Sequence, residues 1–245
     1  MVTEEQGINR MLTTARLISY SQPQEGELYV GDNLQELVAY CARVSNPANQ
    51  EAHKTSEKLI KYLVDHRHTS TFEHCGATFR FVVPLFVRSQ HMRHRTWSYN
   101  EISRRYTDKD LQFYMPNSFR TQHKTNRQAS NLELINPPIV PDLSDFGHGI
   151  LADAAINNHV KSSLTLFHRL ITEGVCREQA RMVLPQNLYT EYYGTCCLSN
   201  LLKFISLRTH EGAQWEIQQV AKACLEISEG LWPEAVEAYR QNVNS

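Results

Sequence analysis

The sequence has no excess charge of either sign and no long apolar run, and each absence excludes a class of protein. Its 25 Lys and Arg residues against 26 Asp and Glu residues give a formal net charge of −1 at pH 7, which excludes a globally basic nucleic-acid binder. No segment approaches the roughly 18 consecutive apolar residues of a membrane span. The beginning, "MVTEEQGINRML", is acidic where a signal peptide is basic. We therefore expect a cytoplasmic protein without membrane contact.

The sequence also lacks the cysteine and histidine spacings of metal sites and disulfide frameworks. None of its six cysteines forms a C-x-x-C pair, and two of them are adjacent, which is poor geometry for a disulfide. The cysteines are Cys41, Cys75, Cys176, Cys196, Cys197 and Cys224. The histidines of "HRHTSTFEH" and "HMRH" lack the H-E-x-x-H order, and neighbouring arginines repel a cation. We expect free thiols and no metal.

Two common nucleotide-binding signatures and one hydrolase signature are either missing or out of context. There is no G-x-x-x-x-G-K-[ST] phosphate loop. "GHGILA", residues 147–152, matches the dinucleotide-binding pattern G-x-G-x-x-A but follows a proline-rich stretch where a dinucleotide fold requires a strand. Ser103 has no G-x-S-x-G context. A serine among arginines favours a hydrogen bond to a phosphate over a nucleophilic role.

Apolar periodicity predicts an α+β fold: a helix-rich single domain over residues 1–245 around one modest central β-sheet. The stretch "ATFRFVV", residues 77–83, alternates in the way of a half-buried strand, and Pro84 ends it. Helical patterns cover 34–44, 51–66, 84–95, 150–174, 177–184, 197–208 and 213–227. Residues 117–149 are polar and interrupted by prolines, which predicts a long surface excursion, either mobile or a lid.

The segment "QHMRHRTWSYNEISRRY", residues 90–106, concentrates positive charge beside aromatic residues. Arginine presents a rigid fork of donors that matches phosphate and carboxylate oxygens. Because each arginine is positively charged, clustered arginines repel one another unless nearby anions neutralise their charge. Glu101 neutralises only part of this charge, while Trp97, Tyr99 and Tyr106 supply stacking surfaces. This pattern favours nucleotide or phosphate binding over nucleic-acid binding, and over a purely structural ion-pair network.

The same segment resembles the flavin-dependent thymidylate synthases. "RHRTWSYNEISRRY" contains their R-H-R-x7-S signature, within the surrounding S-x-N-E-x-S-x-R-Y. "ARVSNP", "HTSTFEH", "REQARMVLP" and "FISLR" with "AQWEIQQ" occur in the family's order and approximate spacing. The resemblance thus covers nearly the whole chain.

The resemblance implies an activity, its cofactors and an assembly. Members of this family convert dUMP to dTMP in de novo dTMP biosynthesis, taking a methylene from methylenetetrahydrofolate and reducing equivalents from NADPH through a tightly held FAD. They are homotetramers with active sites at subunit junctions. The resemblance therefore implies small-molecule substrates and no nucleic-acid partner.

On the nucleotide side, the resemblance implies a set of dUMP-binding positions and one catalytic residue. Ser103 through Arg105 fall around the phosphate, Arg181 is a further phosphate ligand, and Arg208 polarises the uracil to activate C5. The full set is Gln90, His91, Met92, Arg93, Glu101, Ile102, Ser103, Arg104, Arg105, Arg181 and Arg208.

On the flavin side, the resemblance implies contacts from the R-H-R triplet and from residues before the strand. These positions are His68, Ser70, Arg93, His94, Arg95 and Glu101, with Ser45 and Glu73 near the cofactor or its supporting residues. The chain departs from the family's N-x-R…N pattern before Arg208, where Cys197, Ser199 and Lys203 stand, and Gly212 replaces a common histidine. The flavin contacts at these places are expected to differ.

Two hypotheses from other classes remain open at this point. A nucleic-acid-binding module would use the same arginines and tyrosines to grip backbone and stack bases, with a steep salt dependence. A nucleotide-binding protein with the family's fold but without catalysis is the other.

Overall fold

The structure, a computed structural model, describes residues 15–22, 34–45, 56–106, 111–139 and 149–243. The described strands are β1 Ala15–Tyr20, β2 Gly76–Pro84, β3 Ser98–Glu101, β4 Phe119–Gln122, β5 Ser130–Ile135, β6 Pro138–Ile139, β7 Ile150–Leu151 and β8 Tyr189–Cys197. The described helices are α1 Glu36–Arg43, α2 Glu57–Asp65, α3 Leu85–His91, α4 Ala152–Thr172, α5 Arg177–Ala180, α6 Leu198–Thr209, α7 Trp215–Leu231 and α8 Pro233–Val243. Short 3₁₀-helices cover Thr69–Glu73 and Arg181–Val183.

These elements confirm the predicted helix-rich α+β class. The larger sheet has four strands in the order β1-β2-β8-β3, and β1 runs antiparallel to β2 with an irregularity between Leu17 and Ser19. Two further antiparallel pairs, β4 with β5 and β6 with β7, add to the single sheet that the sequence predicted. None of the described helices is long and apolar enough to cross a membrane.

Strand β2 is where the sequence pattern and the structure agree best. Ala77, Phe79, Phe81 and Val83 alternate along it, and all four are buried. Helix α3 begins directly after Pro84, as predicted, because proline suits the start of a helix. It ends at His91, four residues before the predicted end at Arg95. The chain turns there and buries Trp97 at 6.2 Å from Phe79, between ring centroids.

Several elements were not predicted, among them β8, α8 and the short strands around residues 119–151. Strand β8 carries the aromatic and β-branched run "YTEYYGTCC", which is typical of a strand. Helix α8 follows Trp232 with proline as its first residue. Strands β4, β5 and β6 lie inside the predicted excursion 117–149, and the antiparallel pair of β4 and β5 is a hairpin within it. Residues 140–148 lie outside the described part.

The chain divides into two compact units, each considered over its described residues. The first comprises Val82–His91 and Glu101–Glu191, with its core around Phe167, Ala180, Leu184 and Leu188. The second comprises Thr14–Phe81, Met92–Asn100 and Tyr192–Ser245. The single domain over 1–245 stays a prediction.

The second unit is built on aromatic packing and on helix pairs. Phe81 stacks on Tyr192 with ring centroids 5.1 Å apart, and Trp97 meets Phe204 edge to face at 5.5 Å. Helix α2 packs on α8, and α6 packs on α7. The buried Gln35 side chain accepts the backbone N–H groups of Glu234 and Ala235, which caps the beginning of α8 from a distant part of the chain.

Gly194 in β8 is required by this aromatic core. A Cβ at this position would lie 3.0 Å from Phe81 Cε2 and 3.1 Å from Trp97 Cε3. We expect Gly194→Ala to lower the free energy of unfolding by about 1–3 kcal/mol because the rings must shift. Gly230→Ala is the matched control: its Cβ meets nothing within 4 Å, and alanine favours a helix over glycine by roughly 0.5–1 kcal/mol.

Urea unfolding of both variants measures the difference. A Gly194→Ala protein as stable as Gly230→Ala would contradict the close packing of the rings against this strand.

Candidate functional site

A cavity of about 470 Å³ lies within the first unit. Its wall combines charged and apolar side chains, in a volume typical of small-molecule sites. The lining residues are Leu85, Arg88, Glu101, Ile102, Arg104, Glu178, Arg181, Met182, Leu184, Gln186, Leu188, Tyr189 and Thr190. Four of the predicted dUMP positions are among them: Glu101, Ile102, Arg104 and Arg181.

A carboxylate held by two donors forms one polar part of this wall. Glu101, at the end of β3, accepts Arg88 Nε at 3.1 Å on Oε1 and 3.0 Å on Oε2, and Arg88 Nη2 also donates to Oε2. The Thr190 hydroxyl donates to Oε1 at 2.7 Å. Helix α3, β3 and β8 thus each contribute one member. Because hydrogen bonds to a charged group contribute more than neutral ones, this cluster fixes the carboxylate in one orientation.

Guanidinium groups form a second polar part. Arg104 Nη2 donates to the Tyr189 carbonyl at 3.3 Å, and Arg181 Nε donates to the Glu178 carbonyl at 3.2 Å. Arg105 pairs with the Glu178 carboxylate at 3.4 Å, between exposed side chains, where an ion pair adds little stability. Cations with several donors in a small space are suited to bind a phosphate.

The remaining predicted dUMP positions of the first unit lie beside the cavity or on α3. Ser103 Oγ accepts the Arg105 backbone N–H at 3.3 Å, so this hydroxyl supports the turn that carries the arginines. Gln90 and His91 form the end of α3, where His91 is fully buried, and neither lines the cavity.

In the second unit the structure brings His94 and Arg208 together. Arg208, in the last turn of α6, donates from Nε to His94 Nε2 at 3.1 Å. The imidazole also meets Phe204 edge to face, with centroids 4.9 Å apart, and Tyr99 donates its hydroxyl proton to the His94 carbonyl at 3.1 Å.

Burial, together with the Arg208 cation, lowers the pKa of His94 from 6.5 to about 4, so the ring is neutral at physiological pH. Burial also lowers the pKa of Arg208, but a guanidinium remains charged. The pair is therefore a neutral acceptor beside a cation, and not two competing cations.

The predicted flavin-side residues all lie in the second unit, apart from Glu101. His68, Ser70, Arg93, Arg95 and Lys203 are exposed. Met92, predicted on the dUMP side, is half-buried in this unit. Cys197 is half-buried and its Sγ accepts an N–H from Asn200 at 3.1 Å, whereas Ser199 is only 5% exposed. Ser45 and Glu73 are exposed.

Three of the six cysteines are buried thiols. Burial raises the pKa of Cys75 to about 12, and raises the pKa values of Cys196 and Cys224 still further above the ordinary thiol range. A thiol with a raised pKa is a poor nucleophile at neutral pH. The raised pKa values therefore disfavour a nucleophilic role for these three cysteines.

The polar members of the cavity wall that the sequence reasoning missed include Arg88, Thr190 and Glu178. Arg88 lies one helical turn before His91, a predicted dUMP-binding position, so its helical spacing from that residue was the available signal. Thr190 belongs to the unpredicted strand β8, so a correct reading of "YTEYYGT" as a strand would have placed it. Glu178 stands three residues before Arg181, one helical turn away.

Comparisons with known proteins cover most of the chain. The family model described as thymidylate synthase complementing protein matches residues 28–234. The flavin-dependent thymidylate synthase of Thermus thermophilus is 39% identical over 206 residues, covering 84% of this chain and 72% of the relative. The flavin-dependent thymidylate synthase of Kosmotoga olearia is 37% identical over 210 residues, covering 86% of each.

A solved structure is also similar over nearly its full length. The UMP/dUMP methylase PolB from Streptomyces cacaoi, bound with 5-Br dUMP, superimposes with a TM-score of 0.72 at 31% sequence identity. The match covers 93% of this chain and 94% of PolB.

The pKa of His94 gives a testable pH dependence. In the unfolded chain the imidazole takes up a proton below about pH 6.5, whereas in the folded protein it stays neutral down to about pH 4. The unfolded state therefore binds more protons in this window, and stability falls as pH decreases through it. We expect the His94 ring resonances in an NMR titration to show a midpoint near 4.

Comparison with His94→Gln isolates this contribution. The variant cannot titrate, so its unfolding free energy should fall less than that of the wild type between pH 7 and pH 5. An imidazole that titrates near pH 6.5 in the folded protein would rule out the neutral pair.

Proposed function

This chain belongs to the flavin-dependent thymidylate synthase family, and on that premise we propose that it converts dUMP to dTMP. Methylenetetrahydrofolate is the proposed carbon donor, and NADPH the proposed source of electrons, delivered through FAD. The activity belongs to de novo dTMP biosynthesis. The observation that carries the proposal is the cavity in which a held carboxylate and several arginines face an apolar wall.

The chemistry of the cavity wall matches a nucleoside monophosphate. Arg104 and Arg181, with Arg105 nearby, offer charged donors for a phosphate. Glu101, which Arg88 and Thr190 hold in place, offers an acceptor for sugar hydroxyls. The apolar side chains and Tyr189 supply the surface that a flat ring covers. Each part of the nucleotide thus has a suitable partner in one cavity.

Arg208 is the proposed catalytic residue, and its chemistry suits the activation of uracil. C5 of uracil is a weak nucleophile, and charge develops on the ring oxygens as the ring becomes enolate-like. A cation placed beside these oxygens before the reaction stabilises that charge by several kcal/mol, on the order of what an oxyanion donor contributes. Arginine suits this task because it keeps its proton.

The residues of the second unit fit FAD, which carries a diphosphate and a flat ring system. Arg93, Arg95 and Lys203 are exposed cations, and His68 and Ser70 are exposed donors that a diphosphate or ring could contact. FAD, when bound, supplies the redox chemistry of the reaction. Ser199 is buried and Cys197 is engaged by Asn200, so we propose that the exposed cations provide the main contacts.

We further propose that the protein acts in the cytoplasm as a homotetramer whose active sites lie at subunit junctions, with no nucleic acid as a partner. Membership of the family supports this proposed assembly. Sedimentation analysis with and without dUMP tests it.

Incubation of the purified protein with FAD, NADPH, methylenetetrahydrofolate and dUMP tests the function. Formation of dTMP, followed by chromatography and mass, supports it. UMP serves as the comparison substrate, because the similar PolB is described as a UMP/dUMP methylase. Tight nucleotide binding without product would favour the noncatalytic alternative, and salt-sensitive binding of oligonucleotides without flavin uptake would favour the nucleic-acid alternative.

Arg181→Ala tests the phosphate part of the cavity. Loss of a charge-assisted hydrogen bond costs about 1.5–3 kcal/mol, so we expect the KM for dUMP to rise by about tenfold or more, with unchanged flavin content. Arg169→Ala is the matched control, since Arg169 lies on α4 of the same unit and does not line the cavity. Equal effects of the two substitutions, or loss of flavin from Arg181→Ala, would contradict this role of Arg181.

A further inference from the structure

The guanidinium of Arg208 is held by a neutral side chain. Its Nε donates to His94 Nε2 at 3.1 Å, which uses the side edge of the guanidinium. Nη1 and Nη2 form the other edge, whose forked geometry matches two ring oxygens or an oxygen and a nitrogen. The contact therefore restricts the orientations that this fork can take.

We propose that His94 is a positioning residue for Arg208: its Nε2 atom holds Arg208 Nε and thereby orients the Nη1/Nη2 fork for the pyrimidine. The proposal rests on the proposed function, since it assigns a direction to the cation that activates uracil. It gives His94 a role on the nucleotide side, in addition to the flavin contact implied by the family resemblance.

The imidazole is itself held in place, which a positioning group requires. Phe204 lies four residues before Arg208, so both side chains project from the same face of α6. Phe204 is fully buried and meets the imidazole edge to face. The Tyr99 hydroxyl, donating to the His94 carbonyl, anchors the backbone of the turn. One helix face thus carries both the support of the histidine and the arginine that the histidine holds.

The charge of His94 decides whether the contact exists. An imidazolium has no acceptor nitrogen, so the bond from Arg208 requires the neutral ring with its proton on Nδ1. Burial and the cation of Arg208 lower the pKa of His94 to about 4, which keeps this form populated at physiological pH. Because the acceptor is neutral, the guanidinium keeps its full net charge, whereas a carboxylate in the same place would neutralise it.

Orientation before binding is the expected benefit. A free arginine side chain samples many rotamers, and holding it at the moment of reaction costs entropy. An acceptor already bonded to Nε removes much of that freedom, so the stabilising charge is in place before the uracil becomes electron-rich. Loss of His94 should therefore lower kcat more than it raises the KM for dUMP.

A double-mutant cycle on the flavin-loaded protein tests the coupling. His94→Phe keeps a flat ring against Phe204 but removes the acceptor, and we expect kcat to fall at least about tenfold, with the KM for dUMP within about threefold. Arg208→Lys removes the fork. In the Arg208→Lys background, His94→Phe should cost less than about threefold, because the residue on which it acts is already gone. Multiplying losses would overturn the proposal.

Two further variants separate positioning from cofactor binding. His94→Gln places an amide oxygen near the position of Nε2 and should retain more of kcat than His94→Phe. His159→Phe, at an exposed histidine of α4, is the matched control and should leave kcat unchanged. A His94→Phe protein that loses flavin and regains full kcat at saturating FAD would overturn the proposal, since His94 would then act through the cofactor.

A readout without turnover keeps this inference distinct from the proposed function. The ¹⁵N resonance of His94 Nε2 should shift in Arg208→Met, as the hydrogen bond is lost, and an unchanged resonance would overturn the pairing. A wild-type protein that shows this dependence but forms no dTMP would overturn the proposed function, and would also remove the catalytic purpose of the pair.

Discussion

Clustered arginines must be held by hydrogen-bond acceptors, and this protein uses two different kinds of acceptor for this. Arg88 donates to a carboxylate, Glu101, so the charge of that guanidinium is neutralised and the two side chains become part of the wall. Arg208 donates to a neutral imidazole, His94, so its position is held while its charge is preserved. The first arrangement suits a rigid binding surface, and the second suits a group that must stabilise developing charge.

The fold provides both arrangements from a few short segments of the chain. The segment 90–106 begins at the end of α3, passes through the turn that carries His94, and includes Glu101 at the end of β3. Strand β8 then supplies Thr190 at its beginning and leads directly into α6, which carries Arg208 near its end. Strand β8 therefore contributes to the cluster around Glu101, and helix α6 contributes to the pair of Arg208 and His94.

Local patterns were sufficient where a residue's role follows from its neighbours in sequence. The alternation of β2 and the long periodic helices were predicted, and two of the family's motifs identified Glu101, Arg104 and Arg181, which line one cavity. Helix α8 was missed, and its first turn is capped by Gln35, which stands 199 positions before Glu234. No local pattern reveals such a partner. A strand pattern would have placed Thr190 on β8, but no local pattern reveals that its hydroxyl donates to a carboxylate 89 positions earlier.

The buried thiols have a consequence for inhibition. Cys75, Cys196 and Cys224 are enclosed, and burial raises their pKa values, so the thiolate that would attack an electrophile is scarce at neutral pH. Pyrimidine analogues that act by trapping a cysteine adduct would have no reactive partner at these three positions. Ligands that compete for the arginines and the held carboxylate of the cavity do not depend on these thiols, which favours anionic, reversible compounds at that cavity.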